Sequence, residues 1–591
     1  MKQGDDGSAR VRSRAAANPG KGYLRRMIGR ARDRRSGGAA LRGMGALASL
    51  MLCVCAGPEP LREHAPATGR TASAERAAPG LPPVKFAGYE FRRRLLGNGL
   101  HGVAVRDEGE DVSVFLVVAA GKRQETAKTT GLAHLTEHAM YTGTATTGAG
   151  DHDRSIVEMG GRSNAFTRED YTLFYDHKIP ADRLGEVLAM EADRLRNLSF
   201  DPSAIYEERG RLRDEEAKTW QPSQQLTERV EAMVYRVHPY GAGIIDEDGH
   251  TFGSLLGIWD LRDFYDQNYQ PDRVTVVVAG AVEPERALDE ITDAFADLPA
   301  GPPVHEPPRE PAIDEPRSLS LPSTLPRDRV EWVYLVPAMG HADRPALHVL
   351  ARLLSRRTTA SGAPLFVSMG DRVDQEMFRF AVVGPAAQDD LEGILEDLLD
   401  GGIDASELEE VKRLEIAARQ ELSLRARPYF SLAATFGVYE VLGHTDALVG
   451  YVSAVEDLTV REMLRVARAY FSREKRVELR FEGTGVEMAP LPDDPTELQR
   501  AADEATQAGD LDWAVAAYTK LLSLNPSKMT QVIALASRGE VWMQKRDYRA
   551  AIADFERALE LVDYPDVRDL LEEARALEAG ELRERTAERA N

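Results

Sequence analysis

Two histidines and a glutamate crowd into five residues, His134-Leu135-Thr136-Glu137-His138, inside the stretch 131–144, GLAHLTEHAMYTGT. A helix over 131–141 puts positions i and i+4 on one face, so the two imidazoles point the same way with Glu137 beside them. Paired imidazoles are a bidentate start to a zinc site. A carboxylate next to them can be the base that takes a proton from zinc-activated water. Taken alone, the same five residues also describe a solvated helix face, so their surroundings decide.

The chain has 591 residues, too many for one hydrophobic core, and several domains are expected. A composition of 43% hydrophobic and 29% charged residues is that of a globular protein, which gives the five residues a folded frame. Net charge is −22 and uneven: residues 1–57 hold twelve Lys/Arg against three Asp/Glu, which leaves the rest at −31. So acidic a body has no basic surface for phosphates and argues against nucleic-acid binding.

Cys53 and Cys55 are the two cysteines, and both lie in an apolar run at 43–56 that is too short to span a bilayer comfortably. An arginine-rich segment (Arg25, Arg26, Arg30, Arg32, Arg34, Arg35, Arg42) precedes the run, and small residues stand at its end, Ala56-Gly57. This is the pattern of an export signal, with Met27 as an alternative start. Other readings are lipidation at Cys53 or Cys55, which Leu52 and Val54 suit poorly, and a mitochondrial-type presequence. With cleavage after Ala56 the mature chain has no cysteine, and a metal must be held by His and carboxylate.

Residues 58–85, rich in Ala, Pro, Gly and Thr, read as a flexible tether. Strands are expected at 89–96, 99–106 and 111–120, the last almost wholly apolar and therefore central. After the histidine helix come a short helix at 151–159 and a strand–turn–strand at 162–177. Helices at 180–195, 202–219, 223–237 and 254–268, a strand at 273–281 and a helix at 284–298 complete a module at 86–300. Asp201 and Pro202 stand where a helix cap and first turn belong. Residues 301–327 hold eight prolines without hydrophobic periodicity and read as a linker. Residues 328–485 then repeat the order of elements without a second H-x-x-E-H, and His341, His348 and His444 form no i, i+4 pair. At 495–580 the pattern turns to helix pairs. Ala514 to Ala551 and Tyr518 to Phe555 are both 37 apart, which resembles tetratricopeptide repeats with a three-residue insertion. The fold class is therefore α+β: two related modules, each a mixed β-sheet covered by helices, and then a small all-α repeat domain that could dock a protein partner.

A hydrolytic zinc needs a third protein ligand and one open position. Helix 202–219 carries Glu208 and Glu215, seven apart and so on one face, which alone is an ordinary charged surface. A resemblance singles them out. His134 and His138 followed by a Glu 77 positions later, Glu215, form the pattern of the pitrilysin and insulin-degrading-enzyme family, which includes the mitochondrial processing peptidases. The order H-x-x-E-H is its inverzincin motif. GLAHLTEHAMYTGT is similar to the family's Gly-x-Ala-His-x-x-Glu-His-Met-x-Phe-x-Gly-Thr, and GGRSNAFTREDYTLFY at 160–175 to its Gly-Gly-x-x-Asn-Ala-x-Thr strand pair. His238-Pro239-Tyr240-Gly241 and Asn268-Tyr269 with Pro271 also fit, so the resemblance covers about 86–483. Departures are Ala139, Tyr141 and the loop AGIIDEDG after Tyr240-Gly241. Arg379 is a candidate for an Arg that contacts substrate in longer members, but it has no Tyr counterpart and the pair is not assigned.

The resemblance implies a zinc metalloendopeptidase built from two metallopeptidase-type modules, with one Zn²⁺ per chain on His134, His138 and Glu215. Glu137 would be the general base and Glu208 would assist the site. A peptide or unfolded segment would lie along the strand of Asn164, Ala165 and Phe166. It also implies a closed chamber of which one module pair is half, hence a homodimer or a heterodimer with a related subunit. The alternative is a non-catalytic chamber subunit or scaffold; the intact motif favours the enzyme. Export to the periplasm or cell envelope is expected ahead of organellar import.

Overall fold

The structure, a computed structural model, describes residues 80–575 apart from short internal stretches, the longest being 243–256, 425–430 and 484–491. The expected signal at 1–57 and most of the expected tether lie outside the described residues.

Two mixed sheets organise the chain. The first holds β1 (Gly80–Phe86), β2 (Tyr89–Leu95), β3 (His101–Arg106), β4 (Asp111–Val118), β5 (Arg162–Thr167), β6 (Thr172–Pro180) and β7 (Val274–Gly280), in the order β1-β2-β3-β7-β4-β6-β5. The second holds β8 (Arg317–Pro322), β9 (Arg329–Val336), β10 (Leu365–Met369), β11 (Glu376–Val383) and β12 (Arg476–Glu482), in the order β10-β11-β9-β12-β8. Five strands correspond one to one. β7 runs parallel to β3 and antiparallel to β4, and β12 runs parallel to β8 and antiparallel to β9. The modules are therefore a duplication in topology, with β1 and β2 added to the first.

Side chains alternate across each strand, and here both faces are apolar. Val112, Val114, Leu116 and Val118 of β4 enter one core, while Phe115 and Val117 enter another. The first core is closed by helices of the same module: α1 (Leu132–Ala139), α2 (Asp151–Glu158), α3 (Leu184–Asn197), α4 (Pro202–Thr219), α6 (Ile258–Asn268) and α7 (Pro284–Phe295). The second is closed from the other module by α11 (Leu432–Val441), through Leu432, Ala433, Phe436 and Val438. Phe436 stacks on Phe91 of β2 with ring centroids 4.0 Å apart. The arrangement is reciprocal, because α5 (Pro222–Val234) of the first module sets Val230 and Val234 against Val333, Val477 and Leu479 of the second sheet. The opposite face of that sheet is packed by α8 (Arg344–Leu354), α9 (Ala387–Asp400), α10 (Ala405–Gln420), α12 (Thr445–Glu456) and α13 (Val460–Tyr470). After it come two helix hairpins, α14 (Pro495–Ala508) with α15 (Leu511–Ser523) and α16 (Lys528–Gln544) with α17 (Tyr548–Leu561). Their cores bury Ala514, Tyr518, Ala551 and Phe555.

Two boundaries expected from sequence need correction. The linker expected at 301–327 contains β8, an edge strand whose RSLSLP pairs in parallel with β12 and tolerates Pro322 at its end. The tether expected at 58–85 overlaps β1, where Pro82 and Pro83 sit in an edge strand and the register shifts between Leu81 and Val84. The short strand β10 is also absent from the sequence reading.

Gly437 marks how closely α11 lies on the first sheet. A Cβ there would stand 2.7 Å from Val277 Cγ2 and 3.1 Å from Val117 Cγ2, both on central strands with stiff β-branched side chains. Gly437→Ala gains about 1 kcal/mol of helix propensity, but overpacking costs about 1–3 kcal/mol. We expect a net loss of up to about 2 kcal/mol in chemical denaturation; a more stable variant would contradict this packing.

Candidate metal centre

The site is built on α1, whose inward face (Leu132, Ala133, Leu135, Thr136, Ala139) is buried in the first core. That anchoring turns His134, Glu137 and His138, all half-buried, towards α4 and β5. Gly131 at the helix start has φ 90° and no capping side chain. The buried Glu125 supplies the cap instead: its Oε1 accepts the Ala133 N–H at 2.8 Å, a carboxylate at the positive end of the helix.

The Nε2 atoms of His134 and His138 lie 3.3 Å apart, with ring planes at 71°. His138 Nδ1 is 3.2 Å from Glu208 Oε2, so the Nδ1–H tautomer donates to the carboxylate and Nε2 presents its lone pair to His134. Burial, and then the neighbouring His138, push the His134 imidazole down to about 4, so it is neutral at pH 7. Two nitrogens on one tetrahedral zinc at about 2.0–2.1 Å would be about 3.3–3.4 Å apart. The donor set and its spacing therefore fit a zinc ion.

Helix α4 is started by Asp201, which accepts the Ala204 N–H at 2.9 Å, and it runs unbroken past Glu208. Arg211 binds the other oxygen of Glu208 from one turn on. Glu215 lies two turns beyond Glu208 on the same helix, and its side chain is outside the described residues. The strand residues are also near: β5 is an edge of the first sheet and packs on α1. Asn164 is exposed and Ala165 half-buried, whereas Phe166 is turned into the core beside Tyr171, so only its backbone faces a ligand on the edge. Thr167, which sequence reasoning left without a role, donates its hydroxyl to Glu137 Oε2 at 2.5 Å. It stands in the Asn-Ala-x-Thr motif, the only signal that could have flagged it.

Other expected residues are used elsewhere. Arg379 is committed to the buried Glu331 at 2.5 Å. His238 and Tyr240 are buried at the boundary between the modules, bound to Asp374 and Asp170. In the second module α8 occupies the place of α1, and its i, i+4 pair is Arg344 and His348, both bound to Asp371. Among the described residues, His152, Asp176 and Glu191 also converge, with candidate ligand atoms within 4.8 Å. Arg194 is already bound to Glu191 there and lies 5.2 Å from the ring centres of Tyr141 and Phe174. That cluster carries its own cation, and we assign no metal to it.

Residues 103–248 match the family described as Insulinase (Peptidase family M16), and residues 258–368 match the Peptidase M16 inactive domain. The chain is similar to zinc protease PqqE of Helicobacter pylori, 28% identical over 417 residues, which is 64% of this chain and 89% of that one. It is also similar to mitochondrial-processing peptidase subunit beta of Dictyostelium discoideum, 27% identical over 211 residues, 35% of this chain and 44% of the relative. Among solved structures, a protease from Helicobacter pylori aligns with a TM-score of 0.59 at 24% identity, covering 67% of this chain and 99% of that one. The periplasmic protease PqqL of Escherichia coli aligns at 0.57 and 17% identity, covering 74% and 51%. Both share the fold described above.

The burial of His134 has a direct consequence. The unfolded chain takes up this proton near pH 6.5 and the folded metal-free chain only near 4, so His134 withdraws stability as pH falls through that window. Histidine-selective NMR on metal-free protein should find two imidazoles titrating near 4, those of His134 and the buried His152, and one of the two should be lost in His134→Gln; no signal near 4 lost in that variant would contradict the burial.

Proposed function

Because the chain belongs to peptidase family M16, we propose that it is a zinc-dependent endopeptidase acting on peptides or unfolded protein segments. The observation that carries this reading is the facing pair of imidazole nitrogens at 3.3 Å, with a carboxylate fixed beside them. His134, His138 and Glu215 would hold one zinc ion. When bound, zinc supplies Lewis-acid activation of water and of the peptide carbonyl.

The chain's own residues do the rest. Glu137 takes the proton as water attacks the carbonyl carbon and hands it to the departing amine nitrogen. Glu208 holds the His138 ring through Nδ1, which fixes its tautomer. Asn164, Ala165 and the backbone of Phe166 line the open edge of β5, where an extended peptide would add as a further strand. Main-chain hydrogen bonds of that kind bind with little sequence preference, which suits unfolded substrates. The reading extends to a homodimer, or a heterodimer with a related subunit, that completes a chamber. It also extends to export by the N-terminal segment and to a protein partner on the tetratricopeptide-like hairpins. Among the described residues no helix is long and apolar enough to cross a membrane.

A non-catalytic subunit is the second reading, motivated by the match of residues 258–368 to an inactive domain. It would suit a chain that had lost a ligand or the base, and the first module here retains His134, Glu137, His138 and Glu215.

Glu137→Gln should keep its zinc, measured by elemental analysis, and lose peptide cleavage by about 10²-fold or more. Unchanged turnover would sink the assigned base. Glu215→Gln should lose the metal; full zinc occupancy in that variant would remove Glu215 from the ligand set.

A further inference from the structure

We propose that the second module positions the catalytic base. Its loop at 372–374 grips the turn between β5 and β6, and that turn holds Thr167 against Glu137. The inference rests on the peptidase reading above and adds a task for the half of the chain without ligands.

Thr167 is the last residue of β5, and its hydroxyl fixes one carboxylate oxygen of Glu137. Where that hydroxyl stands is set by the turn 168–171, closed by the Arg168 N–H on Tyr171 O at 2.8 Å. One side of the turn receives the segment that leads into α1. Lys122 N–H donates to Arg168 O at 3.3 Å and Arg123 N–H to Glu169 O at 2.7 Å. The other side receives the second module. Val373 N–H donates to Asp170 at 3.0 Å, and Arg372 reaches Glu169 at 3.4 Å and Glu231 at 2.5 Å. Asp374 Oδ2 accepts from Arg123 Nε at 2.6 Å and pairs with His238 Nε2 at 3.0 Å.

Three consecutive residues of the second module thus hold both neighbours of the base, the lead-in to its helix and the strand end with its hydrogen-bond donor. Asp170, Glu231, Arg372 and His238 are buried. Water cannot substitute when one partner is lost, and a buried charge left without its partner forces rearrangement. Displacements of about 1 Å at a catalytic group, caused from afar, are enough to cost about 10²-fold in rate.

The test uses the full-length protein. Thr167→Val removes the hydroxyl at nearly constant shape and should lower kcat about 10–100-fold, with KM within about twofold and zinc content unchanged. Thr167→Ser should recover to within about threefold. Asp374→Asn should lower kcat about 3–10-fold alone but add nothing in the Thr167→Val background, since both act on one carboxylate. A Thr167→Val enzyme with full kcat overturns the proposal. So does an Asp374→Asn loss that multiplies in full onto Thr167→Val. Amide hydrogen exchange on metal-free protein decides it independently of activity. Asp374→Asn should speed exchange at 121–125 and 168–171, and unchanged protection there overturns the clamp. A wild-type zinc protein that cleaves no peptide contradicts the peptidase reading instead, and the exchange result still decides the clamp.

Discussion

Apolar strands have two faces to cover, and in this protein each module covers only one face of its own sheet. All seven residues of β7 are buried, which requires packing above and below. The missing layer comes from the other module: α11 lies on the first sheet and α5 on the second. Burying one large apolar side chain is worth about 1.5–3 kcal/mol. An exchanged helix that buries several such side chains therefore outweighs any surface ion pair in holding the modules together. Neither sheet has a closed core without its partner, so the duplication is a folding unit as well as an evolutionary pattern.

The H-x-x-E-H motif lies on one side of this exchange. In the first module α1 offers two imidazoles and a carboxylate; in the second, α8 offers Arg344 and His348 on Asp371. There a guanidinium supplies the positive charge beside Asp371. That module's contribution passes through packing, through the buried ion pair of Arg372 and through the half-buried pair of Asp374. Such pairs add little net stability, because desolvation cancels most of their attraction, but they fix geometry and are costly to break singly. A module without the H-x-x-E-H motif can in this way still bear on how its twin is aligned.

The sequence made some of this legible and not the rest, for physical reasons. A five-residue motif with i, i+4 spacing reports on one helix, and α1 has the face that the spacing implies. Strands with long apolar runs, β4 and β7, were equally plain. Edge strands were not: GLPPVKF and RSLSLP carry prolines and little alternation, and only their pairing partners make strands of them. The contact between Glu208 and His138 spans 70 residues, and only the family resemblance pointed to it. The contact of Thr167 with Glu137 spans 30, and the Asn-Ala-x-Thr motif that contains Thr167 does not by itself say what its hydroxyl meets. The Arg372–Glu231 pair spans 141, and nothing local distinguishes either residue from a surface charge. Helix exchange is likewise invisible to periodicity, which says that a face is apolar but not whose face meets it.

Every catalytic role proposed above depends on zinc binding at His134 and His138. Zinc K-edge X-ray absorption on the purified full-length protein reads that ion and its ligands directly. The prediction is one zinc per chain, with two imidazoles and only oxygen in the remaining positions, and loss of the imidazole scattering in a His134→Ala, His138→Ala double variant. A protein that takes up no zinc, or one whose zinc keeps both imidazoles in that variant, would contradict it.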